Sequence, residues 1–348
     1  MKLFKKIVFA TLAGTLVLSG CGNNEEVAGD KKPAKVVEKN KEIKQNLLTG
    51  EDTLTEKAIG KRPVAVMVNN VEPAMPQYGV EQADVIFEIP VEGDLTRFMA
   101  LYGDYTQVPE ICPVRSCRYY FPVISQGFDA FYIHWGMDET VRSYIEDMGV
   151  ERFDGMVDNN GLFGRDQSRL DAGYSLEHTA YFDGTKLSNV LEKEYRLDLK
   201  EEYKKPAFKF NKKQKAPSEE ACTMVDIDFG SQGSTFVYDA EKNVYLKQIN
   251  GNAQIDAKTN NQLAFNNVFV LETPIQLRSN GVHQNVDCFG GDDSVGYYIS
   301  NGAIQKIHWK KEDVNARLKF YNEEGKEIKI NKGKTYIALN YPGQATYE

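Results

Sequence analysis

ADVIFEIPVEGDLTRFMALYG, residues 83–103, contains two strands and the turn between them. ADVIFEIPVEG is rich in β-branched and aromatic residues, and LTRFMALYG resumes the apolar pattern after Gly93-Asp94. A Gly-Asp pair between two such runs is a hairpin signal. Upstream, VAVMV (64–68) is a continuous apolar run that predicts a buried strand. Downstream, FDAFYIHWG (128–136) predicts another strand, and DETVRSYIEDMG (138–149) an amphipathic helix. Asp138 is placed to cap that helix, with Val141, Tyr144, Ile145 and Met148 as its buried stripe. Between these elements, CPVRSCRYYF (112–121) reads as a strand end and turn, then a helix from about Ser116 to Ser125. Residues 150–180 are Gly-rich and loop-like, and 184–198 predict a second helix. The stretch 201–222 is Lys-rich and reads as a linker. Beyond it, short strands alternate with turns such as Asn250-Gly251 and Asn301-Gly302, the pattern of an antiparallel meander. The expected fold is mixed α+β, with an α/β N-terminal lobe over 61–200 and a β-rich antiparallel C-terminal lobe over 223–348.

The N-terminus has a different character. Lys2, Lys5 and Lys6 precede an apolar run from Ile7 to Leu18, followed by Ser19-Gly20-Cys21. A charged start, a short apolar stretch and small residues describe a secretory signal over 1–20. The tetrad LSGC resembles the lipobox of bacterial lipoproteins, and that resemblance implies lipidation at Cys21. Two acyl chains hold a protein to a bilayer where one holds it only marginally. Residues 21–60 carry no aromatic and many Lys, Glu, Asn and Gly, so they are expected to be a flexible tether. The expected location is the extracytoplasmic face of the cell membrane. With 42 basic and 50 acidic residues the net charge is −8, and loss of the three signal lysines makes it −11. Such a field disfavours nucleic acid as a partner and repels anionic headgroups.

Eight stretches then match one family in order. They are RPVAVMVNN, DVIFEIPVEGDLTRFMALYGDY, CPVRSCRYYF, FDAFYIHWG and EHTAY in the first half, and GDDSVGYYISNG, IHWKK and GKTYIALN in the second. Together they resemble the YerB-like family of firmicute lipoproteins across residues 62–345. The resemblance implies a lipoprotein with an α/β fold in sandwiched layers, and no established reaction. Cys112 and Cys117 depart from the family, which carries small residues there.

Three constellations carry candidate chemistry. Arg97, Arg115 and Arg118 lie within 22 positions in a chain whose 42 basic residues include only 11 arginines. Guanidinium groups suit bidentate carboxylate or phosphate contacts. At a helix start, Arg115 and Arg118 need an anion, supplied either by an envelope ligand or by Glu88, Glu92 or Asp104. Trp135 and Tyr119 would flank that site. Glu88 and Glu92 could instead serve as acid and base on a glycan, with His134 and His178 as further acid–base groups or metal ligands. No HxxxH, HExxH or CxxC spacing supports zinc, and no cofactor is expected. Cys112 and Cys117 could form a disulfide only across a tight turn. The leading expectation is a non-catalytic envelope protein that binds an anionic ligand or a protein partner. The alternative is a hydrolase or lyase acting on cell-wall glycan or peptide.

Overall fold

The computed structural model describes residues 44–157 and 161–348. The signal segment 1–20, Cys21 and the expected tether up to residue 43 lie outside the described residues. The opening hairpin forms as expected: Val85–Pro90 pairs antiparallel with Thr96–Tyr102. Its turn holds Gly93 at φ +56° and Asp94 at φ +59°. That left-handed region is open to glycine and tolerated by aspartate.

The hairpin lies inside a ten-stranded sheet. On one side, Val64–Asn70 pairs antiparallel with 96–102, then parallel with Phe131–His134, which pairs parallel with Arg152–Asp154 at the edge. On the other side, 85–90 pairs parallel with Thr335–Asn340. Asn267–Glu272, Val295–Ser300, Ala303–Lys310 and Lys319–Tyr321 follow to the opposite edge. The two lobes thus meet in a single backbone ladder. The antiparallel expectation holds along the ladder from 267–272 through 295–300 and 303–310 to 319–321. It fails for 335–340, which is parallel to both neighbours.

Alternation along the strands explains the layers. Val64, Val66, Val68, Phe98 and Ala100 point into one core, and Ala65, Met67, Met99 and Leu101 into the other. Successive strand residues face opposite sides, so a continuous apolar run is what a sheet covered on both faces requires. The first core is closed by a second antiparallel sheet through Val225, Ile227, Phe236 and Tyr245. The second is closed by the helix Tyr120–Gln126 through Phe121 and Ile124, and by Glu139–Asp147 through Val141 and Ile145. The molecule is a mixed α+β sandwich of helices, large sheet and small sheet. Asp138 caps its helix by accepting from the Thr140 N–H at 2.8 Å. Of the expected stripe, Val141 and Ile145 are buried, whereas Tyr144 is exposed.

Three expectations change. The described part of the tether, 44–60, is packed: Leu48, Leu54 and Ala58 are buried, and the Thr55 N–H donates to Asp104. Its few apolar residues are spaced to dock one by one, which composition alone does not reveal. The 201–222 linker is likewise anchored, since Tyr203 is buried and Phe208 stacks on Phe320 at 5.9 Å. Finally, the helix after Cys117 begins at Tyr120 rather than Ser116.

Candidate binding cleft

Residues 113–117 run as extended chain, bonded to the ends of two strands. The Asn69 and Arg115 N–H groups donate to Pro113 and Met67 carbonyls, and the Trp135 and Cys117 N–H groups to Arg115 and Gly136. In extended chain, residues three apart face opposite ways. Arg115 and Arg118 therefore separate instead of sharing a helix turn.

Arg118 turns inward with Arg97. Arg97 is buried on its strand, where it donates to the Ser116 carbonyl at 2.7 Å and approaches Glu92 at 3.3 Å. Arg118 contacts the same Glu92 carboxylate and donates to the Cys117 carbonyl at 2.6 Å. Burial, then the nearby charge of Arg115, pushes Arg97 down to about 10, so it stays charged at neutral pH. For these two arginines the anion comes from within. His283 joins the network: it lies 3.5 Å from Glu92 and 3.1 Å from Asp138. Tyr119 does not flank the arginines, because its hydroxyl donates to the Val286 carbonyl at 3.0 Å.

Arg115 turns outward. Its guanidinium meets Glu177 at 3.0 Å, with side-chain exposures of 24% and 53%. This pair lines two adjoining cavities. One, of about 340 Å³, is bounded by Asn69, Val91, Leu95, Arg97 and His178. The other, of about 510 Å³, is lined by Trp135, Arg142, Asp154, Met156, Arg165 and Leu176. Arg165 stacks over the Trp135 ring at 4.4 Å and donates to the Leu176 carbonyl at 2.6 Å. Burial, then the charge of Arg115, lowers the Arg165 pKa. Gly155 makes room for this stack, since a Cβ there would lie 2.5 Å from the Trp135 ring. Met156 and Leu176 form an apolar rim, 69% and 59% exposed. The larger cavity is thus an open cleft with three guanidiniums against Asp154 and Glu177, backed by an indole.

The acid–base candidates do not converge here. Glu88 is fully buried between the two sheets. It accepts from Asn70 at 2.7 Å, Thr96 at 2.7 Å, Ser234 at 3.0 Å and Tyr336 at 2.5 Å, and lies 3.4 Å from Lys247. Glu92 is held by its arginines. His134 is buried and donates from Nδ1 to the Gly136 carbonyl at 2.9 Å, leaving Nε2 without a partner among the described residues. Burial, against the pull of Asp154, pushes it down to about 4. His178 does border the smaller cavity; the Asn69 amide meets its Nδ1 at 2.9 Å, and burial lowers its pKa. Cys112 and Cys117 are both free and buried, not bridged. Cys112 sits beside Tyr78 and the His178 carbonyl, Cys117 in the helix-side core, and burial pushes each thiol up to about 12. Sequence reasoning missed Arg142, Arg165 and Lys247. Arg165 lies in the Gly-rich 150–180 stretch, where no periodicity marks a face.

A double-faced sheet with a cationic cleft at one end defines a layered α+β protein. The chain belongs to the family described as "Protein of unknown function (DUF3048)", whose N-terminal domain matches residues 48–204 and C-terminal domain residues 225–337. It is 30% identical over 299 residues to the Bacillus subtilis protein named "Putative lipoprotein YerB", covering 84% of this chain and 85% of that one. The crystal structure of the YerB protein from Bacillus subtilis superposes with a TM-score of 0.73 at 27% identity, covering 86% of this chain and 98% of the other.

Proposed function

We propose that this protein is held at the extracytoplasmic face of the membrane by a lipid on Cys21. There it binds an anionic envelope ligand in the cleft of Arg115, Arg142, Arg165 and Trp135. The LSGC tetrad after a basic, apolar start supports the anchor, as does the lipoprotein name of the Bacillus relative. The observation that carries the ligand is the approach of Arg115 and Arg165 around the Trp135 face. Arg165, whose proton affinity the neighbouring charge of Arg115 lowers, gains from an anion shared with it, and a ring behind the pair gives a flat ligand a surface. Arg97 and Arg118 support the frame of the site through Glu92 rather than meeting the ligand. The hydrolase or lyase alternative has less support, because Glu88 and His134 are buried and Glu92, at the edge of the smaller cavity, is tied to Arg97 and Arg118.

The test is binding of carboxylate-bearing muropeptides released from digested cell wall. A charge-assisted hydrogen bond contributes roughly 1.5–3 kcal/mol, so Arg115→Ala with Arg165→Ala should weaken binding at least about tenfold with the melting temperature unchanged. Glu177→Gln should tighten binding by freeing Arg115. Equal affinity in the double variant, or no saturable binding by the native chain, overturns the reading.

A further inference from the structure

An acidic chain with 50 carboxylates keeps one groove strongly cationic. The groove is about 820 Å³ in volume, with seven lysine or arginine side chains and two glutamates along it. Lys209 is paired with Glu327 at 2.6 Å, and Arg317 is committed to the Tyr203 and Pro206 carbonyls. Lys205, Lys212, Lys319, Lys329 and Lys332 make no ion pair among the described residues. Surface lysines are usually neutralised or scattered; here five unpaired ammoniums crowd one groove, with Phe208 and Phe210 between them. The contrast with the arginine cleft is chemical. Guanidiniums fixed by stacking suit one defined ligand, whereas ammoniums on flexible stems suit mobile phosphates whose positions shift.

The position of the groove matters as much as its charge. Gln45 lines it, one residue from the start of the described fold at Lys44. Between Cys21 and Lys44 the sequence has 22 residues, a contour of at most ~75 Å. A bilayer anchored at Cys21 is therefore within reach of the groove, at the high effective concentration that a tether confers. Lys319 belongs to the strand at one edge of the ten-stranded sheet, and the arginine cleft adjoins the 131–134 and 152–154 strands at the other. Nine strand spacings of ~4.8 Å separate these edges by roughly 43 Å.

We infer that the lysine groove docks on the anionic surface of the bilayer through lipid phosphates, holding the arginine cleft on the side away from it. The repulsion between the net negative charge and anionic headgroups is weak against this contact, because charges beyond a Debye length of ~8 Å are largely screened at physiological salt while the groove lysines touch the headgroups. The inference rests on the lipid-anchor reading for its geometry and is independent of what fills the arginine cleft.

The experiment uses the full chain carrying Cys21→Ala, which cannot be lipidated, in co-sedimentation with vesicles. One set contains phosphatidylglycerol with phosphatidylcholine, the other phosphatidylcholine alone. Each surface lysine near an anionic membrane contributes about fivefold in partition. Lys212→Ala, Lys329→Ala and Lys332→Ala together should therefore lower binding to the anionic vesicles about 100-fold, and 0.5 M salt should do the same to the parent chain. Contacts through the apolar 7–18 run are common to both proteins and both vesicle types. Equal binding to the two vesicle types overturns the inference, as does a triple variant that binds like its parent. Binding to soluble polyphosphate without binding to vesicles also overturns it, and assigns the groove to a polymer. Failure of the anchor reading appears elsewhere, as a chain with Cys21 intact that fractionates in cells like Cys21→Ala.

Discussion

Lys247→Met tests the polar core between the two sheets. Lys247 and Glu88 are both fully buried and lie 3.4 Å apart. At an effective dielectric near 20, opposite charges at that distance attract by roughly 5 kcal/mol. Breaking a buried pair by removing one partner typically destabilises by roughly 3–5 kcal/mol, so the expected loss is about 4 kcal/mol. At roughly 2 °C per kcal/mol for a body of this size, the melting midpoint should fall by about 8 °C. The double variant Glu88→Gln, Lys247→Met should behave differently. The new amide oxygen can accept from Asn70 and Thr96, while the Ser234 and Tyr336 hydroxyls turn to accept from its nitrogen. With no charge left uncompensated, the double variant should lie within about 1 kcal/mol of the parent. Urea denaturation of the four proteins of this cycle measures the coupling directly. A Lys247→Met loss below about 1 kcal/mol, or a double variant as unstable as the sum of the singles, would refute the reasoning.

Two further predictions concern buried groups. His134 has a folded pKa of about 4 against an ordinary 6.5, so the unfolded chain binds its proton first; stability is full above pH 6.5 and declines as pH falls toward 4, by about 3 kcal/mol in all. His134→Asn should flatten that part of the stability profile between pH 7 and 4.5, and an unchanged slope would show that the proton is taken elsewhere. The four described cysteines are buried and free, so a thiol-reactive dye should label none of them quickly in the native protein and all four after denaturation without reductant. A Cys112–Cys117 bridge in a non-reduced digest would contradict the structure.

The strands were legible because their apolar runs are long and β-branched, and the hairpin because its turn residues carry a left-handed backbone. Asp138 was legible as a cap since a cap depends on two neighbouring residues. What sequence could not supply was partnership across distance. Lys247 reads as one lysine in VYLKQI, yet it sits on the strand face that meets Glu88, some 160 positions away. Arg115 and Arg118 suggested a pair by spacing; extended backbone sends one to Glu92 and the other to the cleft, and spacing alone does not say which backbone applies. The cleft draws on Arg142 from a helix, Arg165 from a short strand and Glu177 from a turn, so no local pattern announces it.

The parallel ladder between 85–90 and 335–340 has a consequence for the order of assembly. Val85 pairs with Thr335, 250 positions later in the chain. As the polypeptide is made, the hairpin's outer strand lacks this partner until residues 335–340 arrive. Strand 267–272 waits for the same segment. Assembly thus waits on strand 335–340: a chain that stops short of residue 335 leaves two apolar strands with bare edges in the middle of the sheet, the kind of edge that recruits other chains. Truncation before residue 335 should therefore be read out as aggregation rather than as a smaller, working protein.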